Sequence, residues 1–248
     1  MNLGKPIATG NTAKIYLYKN QIIKVFHEYL PDTESSYEAY KQNFAYSCGL
    51  AVPKVLNVTK IDRKQAIVME YIEGRTLGDL FLKNKQAEYY MNIAIDVQQK
   101  VHTLIVDSFE PMSEKLCRQI ESVQSLDKRK KAFLLNKLES ITYTNRLCHG
   151  DFHLFNLIMA NNQEVTIIDW VDSSSGDIRA DIYRTYLLYS QLSTELADLY
   201  LRLYCEKSGL FMDEILQWAP IIAGARLSEN VSSEKPERLM DIINHYCP

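Results

Sequence analysis

The sequence has no CxxC pair, no apolar run long enough to span a bilayer, no excess of basic charge, no internal repeat and no low-complexity stretch. Each absence removes a class of function. Its five cysteines (Cys48, Cys117, Cys148, Cys205 and Cys247) are odd in number and widely scattered, which argues against a zinc site or a disulfide framework and for reduced thiols. No apolar stretch approaches the ~20 residues of a membrane helix. The net charge of -3 offers no broad basic field, so nucleic acid is not an expected partner. The opening Met1-Asn2-Leu3-Gly4-Lys5-Pro6 lacks the apolar core of a signal peptide, and a cytoplasmic location is expected. What is present is ordinary globular composition, 46% hydrophobic and 24% charged, in 248 residues. That is enough chain for one large domain or two modest ones.

Along the chain, Lys14-Ile15-Tyr16-Leu17-Tyr18 and Gln21-Ile22-Ile23-Lys24-Val25-Phe26 are β-prone runs around Lys19-Asn20, a hairpin pattern. A helix is expected from about Thr33 to Ser47, capped by Asp32 or Thr33 and ended near Gly49 and Pro53. Gln65 to Glu70 reads as a further strand, and Glu73-Gly74-Arg75 as a connector. Beyond it the pattern turns helical: Ile93, Val97, Val101 and Leu104 recur at helical spacing, as do Leu134, Leu138 and Ile141. A β-rich island interrupts at Arg146–Cys148, 157–159 and 165–168, and helix signals return from Asp177. The basic run 127–131 reads as a solvated helix face. Tyr183, Tyr186 and Tyr189 read as a packed helix face or as pocket lining. The order implies an N-terminal lobe over residues 1–72 and a C-terminal lobe over 73–248, with a cleft near residues 70–76.

The chemistry concentrates in His149-Gly150-Asp151-Phe152-His153-Leu154-Phe155-Asn156 and Ile167-Ile168-Asp169-Trp170. Asp151 and Asn156 lie five apart beside a glycine, a loop spacing, since facing helix positions are three or four apart. Asp169 ends an apolar run, at a strand tip. Three such oxygen-bearing side chains suit a hard cation such as Mg²⁺, completed by water and phosphate oxygens. One carboxylate can instead accept a proton from an attacking hydroxyl. Phosphoryl transfer also needs a cation on the phosphates. Lys24, inside an apolar strand, can supply it if a carboxylate partners its ammonium; Glu34 and Glu38 are on offer, with Glu38 favoured. The bland reading of Lys24 is an edge-strand surface lysine. His149 reads as a residue that orients the loop, His102 and His27 as ordinary partly buried histidines, and Trp170 as packing.

His149-Gly150-Asp151-x-His153-x-x-Asn156 followed by Ile168-Asp169-Trp170 resembles the aminoglycoside phosphotransferase and choline kinase family, a small-molecule branch of the protein-kinase-like fold. Val68–Leu77 is similar to its hinge, Val52–Leu56 to the stretch after its first helix, and Gly176-Asp177-Ile178-Arg179-Ala180-Asp181 to its Gly-Asp-Pro…Asp element. The matches keep family order over roughly residues 5 to 190. The resemblance implies an α+β bilobal fold and an ATP- and Mg²⁺-dependent enzyme that phosphorylates a hydroxyl of a small molecule of aminoglycoside, choline-like, sugar or amino-alcohol type. It implies Asp151 as catalytic base, Asn156 and Asp169 as magnesium ligands, and Lys24, held by Glu38, on the α- and β-phosphates. It further implies the backbone of Glu70, Tyr71 and Ile72 against adenine, Thr12 or nearby amides on phosphate, and Asp181 bracing the catalytic loop. The chain departs from the pattern at Leu154-Phe155, where Pro-Gly is usual, and in the single glycine of Thr9-Gly10-Asn11-Thr12-Ala13. Two other readings stand beside it. One is an atypical protein kinase, disfavoured because no Ala-Pro-Glu segment follows Asp169. The other is a catalytically idle nucleotide-binding scaffold, disfavoured because Lys24, Asp151, Asn156 and Asp169 are all kept.

Overall fold

Alternation of side chains along the first strands decides what each face of the sheet buries. The protein is described here by a computed structural model covering residues 3–247; Met1 and Asn2, part of the leader reading above, and Pro248 lie outside the described residues. Strands β1 (Ala8–Thr9), β2 (Ala13–Tyr18) and β3 (Gln21–Phe26) run antiparallel, and β2 pairs with β3 from Ala13 opposite Phe26 to Tyr18 opposite Gln21. Lys19 and Asn20 between them both take positive φ, 49° and 60°, as a two-residue hairpin turn requires. Helix α1 (Glu34–Ser47) follows; Thr33 occupies its N-cap position but makes no side-chain cap bond. Strands β4 (Val55–Ile61) and β5 (Lys64–Glu70) complete a five-stranded sheet of order β1-β2-β3-β5-β4.

On β3, Phe26 and Ile22 pack with Ala13, Ile67, Met69 and Ala39 of α1. Ile23 and Val25 point the other way, to Ile61 and Ala66. Successive strand residues alternate faces, so Lys24 lies on the α1 face with Ile22 and Phe26. Glu73-Gly74-Arg75 is not a plain connector: Gly74–Thr76 forms a short strand, β6, before helix α2 (Leu77–Asn84).

Helices α3 (Ala87–His102), α4 (Met112–Ser122) and α5 (Lys128–Ser140) come next. The buried face of α3 is Tyr90, Met91, Ala94, Ile95, Gln98, Val101 and His102; of the expected stripe Val101 lies on it, Ile93 and Val97 are half-buried, and Leu104 lies beyond the helix end. The basic run opens α5, with Asp127 as cap accepting from the Lys130 amide at 2.8 Å. Strand β7 (Arg146–Cys148) leads into the His149–Asp151 turn. A 3-10 turn, Leu154–Asn156, precedes β8 (Leu157–Ala160) and β9 (Val165–Ile167), which form a sheet with β6 in the order β6-β8-β9. Strand β10 (Ser174–Gly176) pairs antiparallel with β7. Helices α6 (Ile178–Ser190), α7 (Thr194–Ser208), α8 (Met212–Leu216), α9 (Ala219–Leu227) and α10 (Pro236–Tyr246) finish the chain.

The chain divides into two compact units, one β-rich and one mainly helical. The first holds the residues up to Lys85 together with Leu154–Asp172; the second holds Gln86–His153 and the chain from Ser173 on. This does not follow a single cut after residue 72. Strand β6 hydrogen-bonds to β8, with Gly74 opposite Ala160, and the Ile167 amide donates to the Ala51 carbonyl at 2.8 Å. Those bonds bind 154–172 to the first unit. Phe155, one of the departures from the family pattern, packs where a Cβ on Gly78 would collide with its ring. All five cysteines are free. Among the described residues no helix is long and apolar enough to cross a membrane.

Candidate active site

The first unit gathers four of the expected residues. Lys24 is 6% exposed, and its Nζ donates to Glu38 Oε1 at 2.7 Å and to Asp169 Oδ1 at 2.8 Å. Strand alternation points Lys24 at α1, and Glu38, next to Ala39 on the packed face, meets it there; of the two glutamates on offer, Glu38 makes the pair. Burial alone would lower the Lys24 ammonium. The Coulombic pull of Glu38 and Asp169 and their hydrogen bonds outweigh it, so Lys24 titrates above the usual lysine range and is charged at any physiological pH. Asp169, past the end of β9, sits at φ 65°, in the left-handed region that non-glycine residues rarely adopt. Beside it the Ile168 amide donates to the Asn156 carbonyl at 3.0 Å, which joins the backbone of the two expected metal ligands.

Lys41 was missed by sequence reading. It is 2% exposed, donates to the Val171 carbonyl at 2.6 Å and lies 4.1 Å from the Tyr37 ring. It follows Glu38 by three residues, the spacing of one helix face, so α1 grips both Lys24 and the backbone just after Asp169. Trp170 is fully buried and donates to the Ile167 carbonyl, in keeping with packing.

The other expected first-unit residues are placed as follows. Thr12 lies in the turn between β1 and β2, and its carbonyl accepts the His27 amide at 2.9 Å. Glu70 ends β5; its amide donates to the Lys54 carbonyl at 3.0 Å, and its carboxylate accepts the Lys54 amide at 3.1 Å. Tyr71 and Ile72 follow as half-buried chain without regular structure.

Asp151 belongs to the second unit. It follows Gly150, whose φ of 81° is one that glycine adopts without strain. The Asp151 amide donates to His149 Nδ1 at 3.3 Å, and its carboxylate pairs with His153 Nε2 at 3.4 Å. Burial pushes the carboxyl up, but the hydrogen bond and charge of His153, then Arg184 and His149, outweigh it and hold Asp151 well below the usual carboxylate range. Asp181 lies beneath this turn. It accepts from the Gly150 amide at 2.7 Å, the His149 amide at 3.3 Å and His102 Nε2 at 2.9 Å. His102 in turn meets the Tyr204 hydroxyl at 2.7 Å, so it is no ordinary histidine but part of a buried network. That role has no local sequence signature, because its partners lie 79 and 102 residues away. Asp177 caps α6 through the Arg179 amide at 2.8 Å.

The network around Asp181 has a measurable consequence. Asp181→Ala should cost about 3–5 kcal/mol in urea unfolding, because it strands two amides and a histidine without their buried carboxylate. Burial pushes the Asp181 carboxyl up, and the hydrogen bond and charge of His102, the Gly150 amide and His149 outweigh that, so it titrates below the usual 3.8. A depressed carboxyl stabilises the fold above its unfolded value and loses that contribution as pH falls through the lower folded one. Asp181→Asn should therefore flatten the acid side of the stability curve below about pH 4. An unchanged acid limb would show that Asp181 contributes nothing to it.

A family model described as the phosphotransferase enzyme family matches residues 5–218. The chain belongs to that family. No curated protein sequence matches this family member significantly. Among solved structures it is similar to a thermostable mutant of aminoglycoside phosphotransferase APH(4)-Ia in ternary complex with AMP-PNP and hygromycin B. The TM-score is 0.71 at 13% identity, over 97% of this chain and 92% of that one. It is also similar to choline kinase LicA from Streptococcus pneumoniae, with TM-score 0.64 and 16% identity over 96% and 92%. A third is aminoglycoside phosphotransferase APH(3'')-Id from Streptomyces rimosus, with TM-score 0.63 and 17% identity over 90% and 92%. At such identities the likeness is one of fold, and the α+β protein-kinase-like architecture of this phosphotransferase family member is the fold they share.

Proposed function

We propose that this member of the phosphotransferase enzyme family transfers the γ-phosphate of ATP, with magnesium, to a hydroxyl group of a small molecule in the cytoplasm. The single observation that carries the reading is Lys24. A buried ammonium held at 2.7 and 2.8 Å between carboxylates from two distant parts of the chain is costly to build, and its use is to present a fixed positive charge to phosphate. In this reading Lys24 contacts the α- and β-phosphates and Glu38 fixes its position. Glu70, Tyr71 and Ile72 offer backbone groups to adenine, and the Thr12 turn lies along the phosphates.

Magnesium fits the donor set. Asp169 and Asn156 supply one carboxylate and one amide oxygen, hard ligands that leave the remaining positions to water and phosphate. Magnesium, when bound, neutralises charge on the β- and γ-phosphate oxygens. Asp151, ionised because its carboxyl lies so low, receives or orients the proton of the acceptor hydroxyl.

The acceptor belongs to the hydroxyl-bearing small molecules: aminoglycosides, choline-like compounds, sugars and amino alcohols. The structural relatives named above include enzymes of the first two kinds. A panel of such compounds, with peptides alongside, should give magnesium-dependent ADP release with at least one small alcohol, using Asp151→Asn as the blank. Nucleotide binding without transfer to any compound would favour a scaffold, and transfer to peptides alone would favour a protein kinase.

A further inference from the structure

Both polar groups of the Gly150 backbone are held by one helix. Asp181 of α6 accepts the Gly150 amide at 2.7 Å, and Arg184, one turn further along α6, donates through Nε to the Gly150 carbonyl at 3.2 Å. The peptide that joins Gly150 to Asp151 is thus fixed at both ends, its carbonyl by Arg184 and its amide by His149 Nδ1. Rotation of that plane would swing the Asp151 side chain. Arg184 is 8% exposed, so its guanidinium needs a counter-ion. Its Nη2 donates to Glu229 Oε2 at 2.8 Å. Glu229, just past α9, also receives Arg226 Nη1, and Arg226 Nε lies 3.6 Å from Glu234 Oε2, which in turn holds Arg238 Nη2 at 2.9 Å. Two arginines therefore share the Glu229 carboxylate, which ties Arg184 to the segment after α9.

We infer that Arg184 is a positioning residue for the Gly150–Asp151 peptide, and that Glu229, from the chain segment after α9, sets where its guanidinium sits. The inference rests on the reading of Asp151 as the group that receives the acceptor hydroxyl. It makes the 226–234 segment part of the apparatus that aims Asp151, although none of its residues lies near Asp151 in sequence.

The test uses the full chain with Arg184→Met, Arg184→Lys and Glu229→Gln. Amide hydrogen exchange at Gly150 and Asp151 needs no acceptor and should quicken about tenfold or more in Arg184→Met and Glu229→Gln, with other amides unchanged. With an acceptor from the ADP-release panel, kcat should fall roughly 10- to 100-fold, the size expected of a small misplacement, while the KM for ATP stays within about twofold. Arg184→Lys keeps the charge but loses the two-pronged hold, and its kcat should stay nearer Met than wild type. If Arg184→Met is too unstable to study, Glu229→Gln alone decides, since it keeps the shape and removes the negative charge that Arg184 and Arg226 share. Unchanged exchange at Gly150 and Asp151 overturns the inference, as does faster exchange with kcat within twofold of wild type, or a joint fall of kcat, ATP affinity and melting temperature. A wild type inert toward every acceptor sinks the phosphotransferase reading instead, and exchange then decides alone whether Arg184 holds the turn.

Discussion

Asp151→Asn should lower kcat by roughly 10²–10⁴-fold, the usual contribution of a positioned acid–base group, while leaving ATP affinity intact. Asparagine matches aspartate in shape, and the backbone contacts of the turn, the Gly150 amide to Asp181 and the Asp151 amide to His149, do not involve the changed atoms. Folding should therefore survive, and what is lost is the carboxylate charge: its pairing with His153 and its ability to take a proton. Because His153, Arg184 and His149 hold the Asp151 carboxyl well below the usual range, the wild-type rate should show no acid limb from this group above pH 3.8. Single-turnover and steady-state rates with ATP in excess, alongside calorimetric nucleotide binding, separate the two effects. Near-normal turnover in the variant would remove Asp151 from the chemistry. Loss of ATP binding in step with turnover would mean that it serves nucleotide binding.

The second large effect is expected at Asp169. Asp169→Asn should weaken nucleotide binding in magnesium by at least about 10- to 100-fold, the range seen when even an outer-shell partner of a metal ligand is lost. The same measurement in chelator should change little, since the amide oxygen can still accept from Lys24 Nζ, 2.8 Å from Oδ1 in the wild type. The contrast between the two conditions is the informative quantity. Equal losses with and without magnesium would assign Asp169 to holding Lys24 and leave the metal with another ligand. No loss in either condition would remove both roles.

The legible parts of this chain were those whose cause is local. The hairpin showed itself because two β-prone runs flank Lys19-Asn20, a pair able to take positive φ. The meeting of Lys24 with α1 followed from period-two alternation, with Ile22 and Phe26 on the same face. Strand β4 gave no such signal: Asn57 and Lys60 interrupt it, and most of its side chains are exposed or half-buried. Strand β6 is three residues long, too short for any pattern to show, and it exists because β8 lies alongside it. The supports of the candidate site were the least legible. His102, Lys41 and Arg184 are ordinary residues on helices until partners 79, 130 and 34 residues away give them work. Yet Lys41 follows Glu38, and Arg184 follows Asp181, by one helical turn. That shared helix face is the local mark both residues carry in the sequence.

The two-part make-up of the first unit bears on how the protein emerges from the ribosome. Lys24 and Asp169 are separated by 145 residues, so the N-terminal sheet leaves the exit tunnel long before the strands and loop that complete its unit have been made. At about 5–20 residues per second, tens of amino acids of helical sequence intervene for several seconds. Throughout that interval Glu38 is the one carboxylate of its native pair that Lys24 can meet, and β6 lacks the β8 strand it bonds to. A gene fragment that stops at the end of α2 would yield the same half-built unit permanently, and it should recover its missing layer only when a peptide spanning 154–172 is supplied.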